Sequence, residues 1–209
     1  MPERNPGSRT NGDVQERAKS WLLPEQVDQM RSACLTDRFA DYLQERNLTL
    51  VELMYDTGLR ASEVVGLDVD HLHLDEEPVT VYLPSEIQKG NPPPATIELS
   101  EDTARQLRRY LRDRWKDTPA LFPTRSSDRM TSRSLQRTIE AIAVAAEVEP
   151  HLVGGGTGEP ETVTPHTLRH SVAYRIIRVE GGRLEDVQLR LRHKSRSTTD
   201  RVYSHLVPR

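Results

Sequence analysis

The apolar residues change period twice along this chain, and that switch narrows the possible folds more than any other feature. From Pro24 they recur at helical spacing: Val27, Met30 and Leu35, then Phe39, Tyr42 and Leu43, then Leu50, Leu53 and Met54. Pro24 suits a first helical turn, where its missing N–H costs nothing. Gly58 interrupts the run, which puts Arg60 at or near the start of the next helix, where unpaired N–H groups favour an anion. Between 69 and 98 the period falls to two. Val69, His71 and His73 alternate with Asp70, Leu72 and Leu74; Val79, Val81 and Leu83 alternate with Thr80 and Tyr82; Ile97 and Leu99 follow. This predicts a small three-stranded antiparallel sheet, with Lys89-Gly90-Asn91 and the prolines 92 to 94 as the turn between its last two strands. Helical spacing returns at Ala104, Leu107, Tyr110 and Leu111, and again at Leu135, Ile139, Ile142 and Ala146. Glycines 154, 155, 156 and 158 make a loop without the Gly-Lys-Ser/Thr wording of a phosphate cradle. Thr164 as cap and Pro165 open a helix that runs to Glu180 and stops at Gly181-Gly182. Two short helices, 183–191 and 196–205, complete an α+β fold that is mainly α-helical.

At 209 residues the chain can bury one substantial core. The polar, Pro- and Gly-rich stretch 1–20 reads as a disordered leader and 21–209 as a single domain. No apolar run approaches the roughly 20 residues needed to cross a bilayer, so no membrane partner is expected. The lone Cys34 excludes an internal disulfide, suits a reducing cytoplasm and reads as a packing residue. The net charge of −3 hides an asymmetry. Residues 36–87 carry twelve acidic and three basic side chains, whereas 105–137 carry ten basic and three acidic, and 166–196 eight against three. Such a chain can meet a phosphate backbone with its basic face; the plainer alternative is a set of solvated helix faces.

Six residues fill the roles that breaking a phosphodiester without a metal demands. Arginine binds non-bridging oxygens with a planar, permanently charged fork, which suits Arg60 and Arg169. His166 and His193 can donate to oxygen or move a proton near neutral pH. Lys89 can protonate a departing sugar oxygen, and Tyr203 can form a covalent phosphate ester. Each also has a plainer use: Arg60 as the partner of Glu63, Lys89 solvated in its turn, Tyr203 as an aromatic anchor. His71 and His73 mimic a metal pair only superficially, with no third ligand in view, and no metal or cofactor is expected.

The wording of these segments resembles the catalytic domain of the tyrosine recombinases, the phage-integrase and Xer-type family. Thr57-Gly58-Leu59-Arg60-Ala61-Ser62-Glu63 resembles the box of the first arginine, and Gln88-Lys89-Gly90-Asn91 the turn bearing the lysine. Thr164-Pro165-His166-Thr167-Leu168-Arg169-His170-Ser171 resembles the His-x-x-Arg box. Leu191-Arg192-His193-Lys194-Ser195 with Tyr203-Ser204-His205 resembles the last one. The resemblance implies that Tyr203 attacks the scissile phosphate of double-stranded DNA to give a 3′-phosphotyrosyl link. Arg60 and Arg169 would clamp the phosphate, His166 and His193 assist, and Lys89 protonate the leaving 5′-oxygen. Glu63 would orient Arg60 and His166, and His170 and His205 would support the site. It further implies assembly to a tetramer on DNA and a cytoplasmic, nucleoid-associated location.

The chain departs from the family in several places. Arg192 stands where glycine is usual, and ten residues rather than one fewer lead from His193 to Tyr203. One extra residue rotates a helix by about 100°, which could turn Tyr203 away. Three prolines follow Lys89 where basic residues are common, and the tail past Tyr203 is short for a docking helix. The leader is too short for the N-terminal core-binding domain of relatives, as in a truncated or catalytic-domain-only chain. A DNA-binding or regulatory relative that no longer cuts, or a type IB topoisomerase-like nicking-closing enzyme, are the alternatives.

Overall fold

The computed structural model describes residues 20–207. In chain order it has β1 (Ser20–Trp21), α1 (Pro24–Cys34), α2 (Asp41–Thr57), α3 (Ala61–Gly66), β2 (Leu72–His73), β3 (Thr80–Leu83) and β4 (Ala95–Glu98). After these come α4 (Glu101–Arg112), α5 (Ser132–Ala145), β5 (His151–Leu152), α6 (Pro165–Tyr174), α7 (Leu184–Leu191) and α8 (Arg196–Tyr203). The architecture is the mainly helical α+β one that the two periods predict.

Helix α2 is the centre of the molecule. Its Leu50, Leu53 and Met54 are fully buried with Leu107 and Tyr110 of α4, Ile139 and Ile142 of α5, and Leu168 and Val172 of α6. Each such side chain contributes about 1.5–3 kcal/mol of burial, so α2 fixes how the flanking helices meet. Cys34 lies in this core, its thiol pushed up to about 12 by burial, as a packing residue should be. The helix ends at Gly58, whose φ of +64° is a left-handed cap and whose N–H reaches Met54 O at 2.9 Å. A Cβ there would sit 2.4 Å from the side chain of Leu191. Glycine is therefore needed twice, for the turn and for the close approach of the end of α7.

The sheet has the order β2-β3-β4, antiparallel, with Leu72 opposite Val81 and Val81 opposite Ile97. Val81, Leu83 and Ile97 face the core, which is the period-two signal made physical. The strand predicted from residue 69 starts later. Val69–His71 is a 3₁₀ turn, because Val69 N–H is drawn to Pro119 O and Asp68 N–H to the Nδ1 of His71. Between β3 and β4 the chain turns on Gln88–Asn91: Asn91 N–H reaches Gln88 O at 3.2 Å and Gly90 takes φ +81°. The buried Gln88 amide ties this turn down, donating to Leu83 O at 3.0 Å and Pro93 O at 3.3 Å.

The pairing of β1 with β5, Ser20 opposite Leu152 and Trp21 opposite His151, escaped the sequence reading. Two-residue strands carry no period. Ser20, assigned by composition to the leader, is buried, so that boundary moves by one residue; the rest of the leader, 1–19, lies outside the described residues. Trp21 stacks on Tyr174 of α6 and on His151. Thr164 caps α6 by accepting from Thr167 N–H, and the helix passes into a π turn over Arg175–Val179 before Gly181 ends it. No helix among the described residues is long and apolar enough to cross a membrane.

Candidate active site

Arg169 projects from α6 into the seam between the end of α2 and the end of α7. It is 3% exposed, and its guanidinium donates to the carbonyls of Gly58 and Leu191. Both carbonyls are left free by helix ends, which is why the chain can place a cation there. No carboxylate hydrogen-bonds it among the described residues. Burial and the charge of Arg60 lower its pKa to about 9, which still leaves it protonated at neutral pH.

Arg60 caps α3 from the other side of the pocket. The anion-favouring N–H expected at this helix start is already used: Arg60 N–H donates to Glu63 Oε2 at 2.7 Å, while Arg60 Nη1 donates to Oε1 at 2.9 Å. Glu63 is fully buried and also accepts from Arg192 Nη2 at 2.6 Å. The expected Glu63–His166 link is replaced by this second arginine. Arg192 closes α7 with φ +52°, ψ +46°, a left-handed cap that explains why glycine suits the position. In this chain the arginine accepts that backbone and gains a buried carboxylate. Arg190 anchors the same segment through Asp56 Oδ1 at 2.6 Å and Glu98 O at 3.0 Å.

Three guanidiniums thus face one carboxylate, and the histidines register the excess. His193 is pushed down to about 4, first by burial and then by Arg169, Arg60 and Arg192. The His166 ring shows an edge to solvent, yet it loses hydration to the surrounding protein. That loss, followed by the charges of Arg169, Arg60 and Lys89, lowers its pKa. Lys89 is exposed in its turn and acts on His166 across the pocket mouth, so the hairpin faces the site. Both rings are neutral donors or acceptors at pH 7. His193 Nδ1 lies 2.9 Å from the buried Thr199 hydroxyl, a partner the sequence reading did not single out.

Tyr203 ends α8 and is 2% exposed. Its ring lies parallel to that of His193, 5.9 Å between centroids and 4° apart, and its hydroxyl is 2.8 Å from His170 Nδ1. Burial pushes the phenol up to about 12, against the opposing pull of Arg169 and Arg60. With the extra residue before it, Tyr203 still packs beside His193 and His170. Ser195 is extended, α8 begins only at Arg196, and Tyr203 itself leaves helical geometry at φ −120°, ψ −2°. His205 packs on Trp21 at 5.7 Å, behind the tyrosine.

Arg60, His166, Arg169, His193 and Tyr203 are brought close together, with Lys89 acting on His166, Glu63 bonded to Arg60 and His170 bonded to Tyr203. Away from these residues, His71 and His73 pack on Tyr82. Asp68, Asp70 and His71 bring possible ligand atoms within 4.8 Å of one another, but Asp68 holds Arg129 and His71 Nδ1 accepts the Asp68 N–H. The basic stretch 105–137 is largely spent on local pairs, among them Arg105–Asp102, Arg109–Glu45, Arg112–Asp113 and Lys116–Asp128.

The fold is shared by the catalytic domain of a phage integrase and by solved site-specific recombinases. The bacteriophage HP1 integrase catalytic domain superposes with a TM-score of 0.60 at 19% identity, covering 90% of this chain and 89% of that one. The XerA recombinase gives a TM-score of 0.68 at 23% identity over 90% of this chain and 66% of that one. The XerH site-specific recombinase bound to its difH substrate gives 0.68 at 23%, over 88% and 50%. By sequence, tyrosine recombinase XerC of Actinobacillus succinogenes is 32% identical over 188 residues, 88% of this chain and 57% of that protein. XerD of Pseudomonas aeruginosa is 32% identical over 172 residues, 79% and 51%. The chain belongs to the phage integrase family, whose description matches residues 20–209. It spans little more than half the length of these curated relatives.

Proposed function

We propose that residues 20–209 form the catalytic unit of a site-specific recombinase that cleaves and rejoins double-stranded DNA through a 3′-phosphotyrosyl intermediate. The observation that carries this reading is Arg169: a buried cation whose hydrogen bonds go to carbonyls, near enough to Arg60 and Tyr203 for their charges to act on one another. Such a charge is costly unless an anion completes it. Tyr203 attacks phosphorus, and the charge that gathers on the non-bridging oxygens is met by Arg60 and Arg169. With the Thr199 hydroxyl donating to Nδ1, neutral His193 carries its proton on Nε2 and can offer it to the phosphate. His166 adds a second donor, and Lys89 protonates the leaving 5′-oxygen. Attack by a partner strand's 5′-hydroxyl reverses the steps. No metal or cofactor enters this chemistry. The partner is DNA, with self-assembly to a tetramer across two duplexes and a cytoplasmic, nucleoid-associated setting.

A relative that only binds DNA needs no buried uncompensated arginine and no tyrosine aimed at it. The test is covalent trapping on a pool of end-labelled nicked duplexes of randomised sequence, from which cleavage releases a short fragment. The unaltered chain should become labelled through Tyr203 and the Tyr203→Phe variant should not; equal labelling of both contradicts the reading. Exchange between two trapped sites, rather than relaxation of a supercoiled circle alone, separates a recombinase from a nicking-closing enzyme.

A further inference from the structure

We propose that His170 takes the phenolic proton of Tyr203 as the tyrosine attacks phosphorus, an assignment that rests on the DNA-cleaving reading above. The geometry points to it directly. Nδ1 of His170 is 2.8 Å from the Tyr203 hydroxyl, with the rings edge to face at 63° and 5.3 Å between centroids. The other histidines are worse placed. His193 lies flat against the Tyr203 ring and turns its Nδ1 to Thr199. His166 stacks on His170 at 6.0 Å, and no hydrogen bond joins it to Tyr203 among the described residues. At 2% exposure the tyrosine is closed off from bulk water as a base.

A base is needed because burial pushes the phenol up to about 12, so almost none ionises alone near pH 7. In the tautomer with the proton on Nε2, the Nδ1 lone pair of His170 accepts the proton as the tyrosyl O–P bond forms. The P–O5′ bond breaks, its electron pair stays on oxygen, and that oxygen takes a proton from Lys89. Rejoining returns both protons. Groups near the pair include His166 and Arg169 from α6, Arg60 from the start of α3, His193 just after α7, and Trp21 and His205. Arg60 and Arg169 act on the same tyrosine, and a bound phosphate offsets their charge. Proton transfer is thereby tied to the presence of substrate.

His170→Asn separates a base from a positioning residue: its amide oxygen can take the place of Nδ1 as an acceptor but cannot be protonated near neutrality. With the randomised nicked duplexes, adduct formation should slow by about 10²–10⁴-fold and rise with hydroxide concentration into the alkaline range. A 5′-bridging phosphorothiolate, whose sulfur leaves without a proton, should restore Lys89→Ala and leave His170→Asn slow. Cleavage by His170→Asn at the unaltered rate and with the unaltered pH profile overturns the assignment, as does its rescue by the sulfur substrate. Absence of adduct from the unaltered chain overturns the assignment together with the reading it rests on. Should the variant fold poorly by thermal melting, ¹⁵N spectra of the unaltered chain decide. Nδ1 of His170 must be an unprotonated acceptor whose signal changes in Tyr203→Phe, and a protonated Nδ1 refutes the proposal.

Discussion

Two arginine-rich regions of this chain use the same side chain for opposite ends. Along 105–129 four arginines meet carboxylates, Arg105 with Asp102, Arg109 with Glu45, Arg112 with Asp113 and Arg129 with Asp68, while Arg114 donates to the carbonyls of Thr118 and Ala120 beside the exposed Asp117. At the site, Arg60 and Arg192 share the buried Glu63, and Arg169 rests on two carbonyls. Counted along the sequence, the first region looks the better place for phosphate. Weighed by burial and pairing, the second holds the more deeply buried charge, Arg169, which no carboxylate among the described residues hydrogen-bonds. Exposed ion pairs are worth little and are screened by salt, whereas a buried, unmatched guanidinium favours whatever anion can reach it. The excess of cation over Glu63 suits the phosphorane, which carries more negative charge than the diester it forms from.

The contrast can be broken most severely by exchanging arginines for methionine. Arg169→Met should cut adduct formation by at least about 10²–10³-fold, the loss typical of removing one preorganised donor. Arg105→Met should leave the rate near that of the unaltered chain. Equal losses in both variants, read as initial rates of labelling, erase the distinction. A second experiment concerns Glu63. In Glu63→Gln the pocket cations lose their one counter-charge, and the empty protein should lose about 3–5 kcal/mol, as when a buried pair loses a partner. Denaturant melts measure this, and Asp102→Asn, at the exposed pair, should change stability by less than about 1 kcal/mol.

Anion binding sharpens the same point without DNA. Sulfate at ten times its Kd should stabilise the unaltered chain by about 1.4 kcal/mol, or about 3–5 °C in Tm for a domain of this size. Arg169→Met should lose this shift and Arg109→Met keep it. The smallest expected effect is on pH. Because His193 is held near 4 and His166 is also lowered, the unfolded chain binds more protons than the folded one between these values and the ordinary histidine range. Stability from these rings is therefore complete above about pH 6.5 and is lost as pH falls toward 4, where His193 titrates in the folded state. Sulfate should flatten that decline by favouring the protonated rings.

Much of this was legible in the sequence, for identifiable reasons. The helices around α2 and the hairpin carrying Lys89 declare themselves because their apolar residues recur at fixed periods over many positions. Gly58 and Gly181 punctuate helices where left-handed backbone is required. The pocket residues could be named because their chemistry is distinctive and their order resembles a family. What stayed hidden depends on contacts between distant segments. The β1–β5 pair joins two-residue strands more than 120 positions apart, and no local period betrays it. The Glu63–Arg192 bond spans 129 positions, and Arg192 drew notice only as an oddity where glycine is usual. Whether a turn absorbs the extra residue before Tyr203 could not be read from spacing; the extended Ser195 and the helix start at Arg196 lie between His193 and Tyr203.

Orthovanadate tests the central claim most directly, since its five-coordinate adducts imitate the shape and charge of the phosphorane. In a crystal structure of the chain with vanadate, the metal oxyanion should bond to the Tyr203 hydroxyl oxygen and accept from both Arg60 and Arg169. Vanadate found instead along the 105–129 surface, with the Arg169 guanidinium still turned only to Gly58 and Leu191, would contradict the account.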